Sequence, residues 1–257
     1  MLDERDPRQS RCIRCDTCDG FPCLVYAKAD AQVICVDPAL PHPNVTLVTG
    51  ARVSRLETSP TGREVTRVHA CRDGRPETYA GDIVVVSCGA INSSALLLRS
   101  ASERHPQGLG NGSGMVGRHY MCHLNTMFLA LSRHPNPTRF NKTFGMNEFY
   151  FGCGDWDHPM GHMSLMGNVD GNVLKAGAPR LVPGMTLEAM ANHAVPFWLT
   201  SEDLPDAENR VTVDGDGRIV LSYRPNNEEA HRRLIGKVKD LLQDIEGDHE
   251  HVLPLQA

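Results

Sequence analysis

Residues 82–102, DIVVVSCGAINSSALLLRSAS, constrain the fold more than any other stretch of the chain. A β-branched run from Ile83 to Val86 lies between Gly81 and Gly89, and a segment of helical character, Ala90 to Arg99, follows at once. Strand, glycine turn and helix in that order are how an α/β protein brings its backbone close to a nucleotide. The glycine permits the tight approach, and the helix start offers unpaired N–H groups. The pattern predicts a buried strand at 83–87 that joins an α/β sheet.

The flanking sequence fills out that sheet. Asn44 to Thr49, Ala51 to Glu57, Glu64 to Cys71 and Glu77 to Ala80 read as strands, with turns at Ser59-Pro60-Thr61-Gly62 and Asp73-Gly74. They predict a small antiparallel meander just ahead of the buried strand. After the helix, residues 108–123 are glycine-rich and irregular, and residues 124–133 read as a strand. Residues 134–194 are rich in Gly, Pro, Asn, His and Met with weak periodicity, as expected of a sheet with long loops over a substrate site. Residues 195–200 read as a buried strand. Arg210–Val213 and Arg218–Tyr223 form a hairpin around Asp-Gly-Asp-Gly. Glu228 to Ile245 is a helix, with Leu234, Ile235, Val238, Leu241, Leu242 and Ile245 recurring at three and four, and Asn226 or Asn227 placed to cap it.

Composition excludes several classes. A chain of 257 residues with 40% apolar and 22% charged residues is long enough for one large domain or two small ones and ordinary for a soluble protein. A net charge of −5 without a basic stripe argues against a nucleic-acid partner. No apolar run approaches the roughly 20 residues of a membrane span. The start, MLDERDPRQS, is too polar for a signal peptide, so a cytoplasmic setting is expected. Nine cysteines are many for such a setting, and Cys12, Cys15, Cys18 and Cys23 fall within twelve residues. Thiolates at these spacings can converge on one zinc ion or an iron–sulfur cluster. Free or structural thiols are the plainer reading, and disulfides are disfavoured without a secretory signal.

The wording GAINSSALLLRS closely resembles the second signature of the glucose–methanol–choline (GMC) flavoprotein oxidoreductases, usually GAINSPxLLxxSG. GLGNGSGMVGRHYMCH resembles the family segment GLxNxSGxVGRxLMxH, and EDLPDAENRVTVDGDGRI resembles the block that opens the last third of the substrate domain. A family segment CxxCxxxxCxxxAK matches Cys15, Cys18, Cys23 and Ala27-Lys28 loosely. The matches run in family order from about residue 12 to about residue 246. One departure stands out: Ser100 is followed by Ala101-Ser102 where the family often continues Gly-Ile-Gly.

The resemblance, choline dehydrogenase-like in form, implies an α/β fold with an α+β portion. That is an incomplete FAD-binding Rossmann-like sheet with an antiparallel insertion over residues 1–122, an antiparallel-sheet substrate domain over 123–246, and an unmatched tail at 247–257. It implies FAD as cofactor, with the main chain of Val53 (in TGARVSRLE) at the adenine and Cys88, Gly89 and Ala90 beside the ADP part. It implies hydride transfer to flavin from an alcohol, sugar or choline-like substrate, with a histidine general base and an electron acceptor, oxygen or a carrier, whose identity the sequence leaves open. It further implies a fragment. The family's opening GxGxxG is absent, Gly108, Gly110, Gly112 and Gly114 have the wrong spacing for it, and HEHVLPLQA stands where a catalytic histidine block is expected. No catalytic residue is therefore assigned, and the chain alone is expected to be inactive. Some sugar dehydrogenases of the family carry an iron–sulfur cluster on nearby cysteines, so a metal- or cluster-binding module through Cys12, Cys15, Cys18 and Cys23 is the alternative, with a functionless gene remnant as the third reading.

The remaining chemistry-bearing residues read as structural. His158 and His162 are four apart, but Pro159 and Gly161 argue against a shared helix. His119, His123, His249 and His251 suit surface or satisfied core positions. The methionines Met146, Met160, Met163, Met166, Met185 and Met190 suit an adaptable apolar lining or, more simply, a core. Glu148, Asp155 and Asp157 sit in loops with no pattern that pairs them.

Overall fold

A computed structural model describes residues 5, 10–16, 18–19, 22–140, 142–177, 183–244 and 249–256. In chain order the elements begin with a π-helical turn (Gln32–Val36) continued by α1 (Asp37–Ala39), then β1 (Ala51–Thr58), β2 (Val65–Arg72), β3 (Arg75–Tyr79) and α2 (Gly89–Arg99). Next come β4 (Leu124–Ser132), β5 (Gly145–Met146), β6 (His162–Leu165), α3 (Gly171–Gly177), α4 (Gly184–His193) and β7 (Ala194–Ser201). The chain continues with β8 (Arg210–Val213), β9 (Ile219–Ser222), α5 (Glu228–Asp244) and β10 (His249–Gln256). The class is mixed α/β, and the described strand ladders are all antiparallel. No helix among the described residues is long and apolar enough to cross a membrane.

Two compact units form. One joins residues 44–122 to 204–226, and the other joins 1–43 to 123–203 and 227–257. The chain passes from one unit to the other at 122/123. The first 43 residues group with the later segment, and 204–226 groups with the earlier one.

The unit of 44–122 and 204–226 holds the expected meander, ordered β1-β2-β3. Asp73 and Gly74 both take positive φ (49° and 78°), which suits the twist of a two-residue hairpin turn. Asp214 shapes the β8–β9 turn: its Oδ1 accepts the N–H groups of Asp216 (3.0 Å) and Arg218 (2.8 Å). Helix α2 packs on β1 and β8, burying Ala95 and Leu96. The strands expected at 44–49 and 83–87 do not form. A strand exists only by pairing, and among the described residues neither segment lies in a ladder. Ile83 and Val85 stand 84% and 77% exposed, so the run expected to be buried lies open on one face.

The other unit is built on a five-stranded sheet, ordered β10-β4-β7-β6-β5. The interior strand β4, between β10 and β7, is buried on both sides because successive side chains alternate faces. Phe128 and Ala130 join Met160, Met163, Phe197, Leu199, Leu234, Val238 and Leu242 under α5. Leu129 instead joins Val169, Leu174, Leu187, Ala191 and Ala194 under α3 and α4. Full burial of such side chains contributes about 1.5–3 kcal/mol each. Of the methionines, Met160 and Met163 are core, Met146, Met166 and Met190 pack against it, and Met185 is exposed. The buried stripe of α5 is Ala230, Leu234, Val238 and Leu242, at every fourth position; Leu241 is exposed, and Ile245 lies outside the described residues. Asn227 Nδ2 donates to Glu202 O, bracing the approach to α5. Asn226, in the other unit, bonds Leu204 at both N and O. Asp19 anchors the N-terminal segment by accepting from Lys142 Nζ (2.6 Å) and Gly167 N (2.7 Å).

Candidate functional site

The extended run 82–87 leads into Cys88 and then Gly89, whose φ of +79° an L side chain rarely adopts. A Cβ built on Gly89 meets nothing within 4 Å, so the space in front of it is open. Cys88 occupies the N-cap of α2 and supplies no side-chain capping bond. It instead donates its own N–H to Ser93 Oγ at 3.0 Å. Residues 87–90 are exposed. An uncapped, exposed helix start presents orphan N–H groups and the positive end of the helix dipole, about half a unit charge. Cys88, Gly89 and Ala90 together therefore form a place where a phosphate-type anion can sit against main chain.

Val53 lies elsewhere in the same unit, on the edge strand β1. It pairs with Ala70, and the register breaks between Val53 and Arg55, so its main chain sits at an irregularity in the ladder. Strand β1 and helix α2 pack together. They are joined directly where Leu56 N donates to Ser100 Oγ at 2.9 Å.

The glycine-rich segment after α2 is a fixed scaffold. Leu109 N donates to Leu97 O (2.8 Å). The buried Asn111 braces the loop from within, giving Nδ2 to Gln107 O (2.8 Å) and accepting Val116 N at Oδ1 (2.9 Å). Gly117 lies so close to β8 that a Cβ would come within 2.3 Å of Val211 O. A cavity of about 530 Å³ opens between this loop and β8, lined by Leu98, Gln107, Arg118 and Arg210 among others. Both arginines reach Glu208, at 3.3 and 3.5 Å, so the cavity carries an ion-pair network.

The four N-terminal cysteines do not assemble as a metal centre. Among the described residues, no three His, Cys, Asp or Glu side chains come together as ligands. Cys15, Cys18 and Cys23 instead line one cavity of about 330 Å³ with Ile13, Leu24 and Lys28, and Cys12 is not among its lining residues. Ala27 N donates to Cys23 Sγ (3.2 Å), and this bond holds the Cys23 thiol below its ordinary value. No disulfide joins any two of the nine cysteines.

Two side-chain groups escaped the sequence reading. His231 is buried between two hydroxyls, with Nε2 at 2.8 Å from Thr126 Oγ1 and Nδ1 at 2.9 Å from Ser201 Oγ. All three residues are buried, and desolvation keeps the imidazole below its ordinary pKa. The group ties α5 to β4 and β7. Asp155, read from sequence as an unpaired loop acid, has partners: Lys237 Nζ and Cys153 Sγ both donate to its Oδ1 at 2.8 Å. These bonds, Cys153 first, hold its carboxyl down at about 2. The i,i+4 spacing of Glu229, Arg233 and Lys237 along α5 was the available signal for a charged face. Of the remaining histidines, His162 bonds Asn147 (2.7 Å) and His158 packs edge-on against Trp156. His119 takes φ +56°, and its buried Nδ1 has no hydrogen-bond partner among the described residues.

Comparison with known proteins shows what the chain resembles in sequence and fold. Residues 4–125 match the family described as GMC oxidoreductase. Paromamine 6'-oxidase of Streptomyces fradiae is 29% identical over 242 residues, which are 87% of this chain and 42% of that protein. 6'''-hydroxyparomomycin C oxidase of Streptomyces lividus is 41% identical over 119 residues, 44% of this chain and 21% of that one. In fold, the crystal structure of pyridoxine 4-oxidase from Mesorbium loti superposes with a TM-score of 0.53 at 18% identity, over 82% of this chain and 42% of that one. The chain thus spans less than half the length of these relatives.

Proposed function

This chain belongs to the GMC oxidoreductase family, and from that premise we propose that it forms part of an FAD-dependent enzyme that oxidises a CH–OH group. The observation that carries the reading is the start of α2. Gly89 at φ +79° with open space before it, and an uncapped helix N-terminus, fit a dinucleotide diphosphate. In this reading the N–H groups following Cys88, Gly89 and Ala90 hold the ADP part, and Gly89 keeps side-chain atoms out of its way. The main chain of Val53 meets the adenine, where backbone N–H and C=O serve whatever the side chain. When bound, FAD accepts the hydride from the carbinol carbon. The acceptor of the flavin's electrons is oxygen or a carrier.

The substrate proposed is a hydroxyl of an amino sugar. Two relatives bear the names of oxidases of paromamine and of a hydroxyparomomycin, and the first aligns over most of this chain. The protein acts in the cytoplasm, a setting that suits nine cysteines unjoined by disulfides, and its partners are small molecules.

Two measurements test the proposal. FAD added to the protein should show quenched flavin fluorescence on binding, and Gly89→Ala should lose that signal. Paromamine should then reduce a dye acceptor in an FAD-dependent manner with the protein that carries this chain. Flavin binding that Gly89→Ala leaves intact would remove the site. Dye reduction by simple alcohols but not by paromamine would remove the substrate.

A further inference from the structure

We propose that Cys153 and Lys237 form an oxidant-driven sulfur–nitrogen cross-link that ties the 149–160 loop to α5. The reading is independent of the flavin site and rests on how the two side chains are held.

Cys153 Sγ and Lys237 Nζ donate to one and the same atom, Asp155 Oδ1, each at 2.8 Å. They are therefore neighbours before any reaction. Both sides of the junction are fixed. On the loop, Cys153 and Trp156 exchange backbone bonds, Cys153 N to Trp156 O (2.8 Å) and Trp156 N to Cys153 O (3.0 Å). Gly152, at φ +113°, sits where a Cβ would come within 2.5 Å of Trp156 O. On the helix, Arg233 lies one turn before Lys237, 4.2 Å above the Trp156 ring, and its Nε donates to Glu229 Oε1 at 2.8 Å. Phe149, Cys153 and Trp156 pack on the buried cluster beneath α5, so the loop does not swing freely. Reacting groups held in register need little further ordering. Small oxidants have access: the Asp155 side chain is 61% exposed, and Cys153 and Lys237 are partly exposed.

The chemistry is a two-electron oxidation by hydrogen peroxide. In the first step the Cys153 sulfur attacks the peroxide: an S–O bond forms, the O–O bond breaks, and the departing hydroxide takes up the thiol proton as water. The product is a sulfenic acid, which condenses with amines. In the second step the Lys237 nitrogen attacks sulfur: an S–N bond forms and the S–O bond breaks. The departing hydroxide takes one ammonium proton as water, and a second proton passes to solvent. In total, one thiol, one ammonium and one peroxide give one S–N bond, two waters and one proton. Asp155, with Cys153, holds the Lys237 ammonium above its ordinary pKa, so the second step gains as pH rises. Thiol reductants cleave the bond and restore both side chains.

The test uses the whole protein treated with hydrogen peroxide at neutral and at alkaline pH, followed by intact mass and peptide mapping. We expect a species lighter by two hydrogens and a peptide joining Cys153 to Lys237. The yield should be greater at alkaline pH, and dithiothreitol should erase the product. In Lys237→Arg, checked for folding by circular dichroism, the joined peptide should vanish and dimedone should label Cys153 instead. The peptide map of the natural protein decides the matter even where that variant fails to fold. A Cys153 that ends as sulfinic acid, forms a disulfide with another cysteine, or stays reduced while Cys88 and Cys122 oxidise would overturn the proposal.

Discussion

Leu56 in β1 donates its backbone N–H to the hydroxyl of Ser100, which in turn donates to Leu96 O at the end of α2. Ser100 is 3% exposed, so water does not replace either bond. Ser100→Ala leaves the Leu56 N–H without its acceptor in a buried place, at a cost of about 1–3 kcal/mol. The expected signature is a lower urea midpoint with an unchanged m-value, together with faster hydrogen exchange at the Leu56 amide. An unshifted midpoint would show that the junction contributes nothing.

Gly89 and Gly117 both hold positive φ, yet they should respond differently to alanine. At Gly89 a Cβ meets open space, so the cost is the left-handed conformation alone, about 1–2 kcal/mol. At Gly117 it would meet Val211 O at 2.3 Å, and the backbone bond from Val211 N to Gly117 O (2.7 Å) would have to open. Gly117→Ala should therefore lower the melting temperature more than Gly89→Ala. In flavin titrations Gly89→Ala should weaken binding by about tenfold or more, equivalent to roughly 1.4 kcal/mol.

His231 gives the protein an acid-sensitive joint. Burial lowers its folded pKa, so the unfolded chain takes up the proton first as pH falls. Its contribution is intact above the unfolded value near 6.5 and is lost progressively as pH drops below it. Urea midpoints measured across that range should fall more steeply for the natural protein than for His231→Gln. Parallel slopes would mean that other groups carry the acid response.

Phe128, fully buried on β4, should be the costliest single truncation in its sheet. Phe128→Ala is expected to lose about 3–5 kcal/mol through lost burial and the cavity left behind. Leu24→Ala, at a side chain 89% exposed, should stay within about 0.5 kcal/mol of the natural protein. Chemical denaturation of the two variants side by side makes the comparison.

What the sequence disclosed follows the range of the interactions. The meander, the Asp73-Gly74 turn, the β8–β9 hairpin and the buried stripe of α5 are set by neighbours a few residues apart, and all were legible. The run 83–87 carries the composition of a strand, but strand formation depends on a partner that composition cannot supply. His231 could not be read because its partners, Thr126 and Ser201, are 105 and 30 residues away. Asp155 and Lys237 are separated by 82 residues in the same way. The start of α2 was legible as glycine plus helix. That its N-cap goes without a side-chain bond, and that the space before Gly89 is open, are facts of the folded backbone alone.

The placement of β4 has a consequence for how the chain is made. This strand, doubly buried, takes its neighbours from β7 and from β10, the latter built from residues 249–256. While the ribosome is still translating the intervening residues, β4 has already emerged with one hydrogen-bonding flank unsatisfied and an apolar face on each side. Native closure of that sheet waits for a segment synthesised much later, so this part of the molecule completes its folding only after residues 249–256 have emerged. Until then its exposed flank is the natural client surface for a chaperone, and the place where two nascent chains would first adhere.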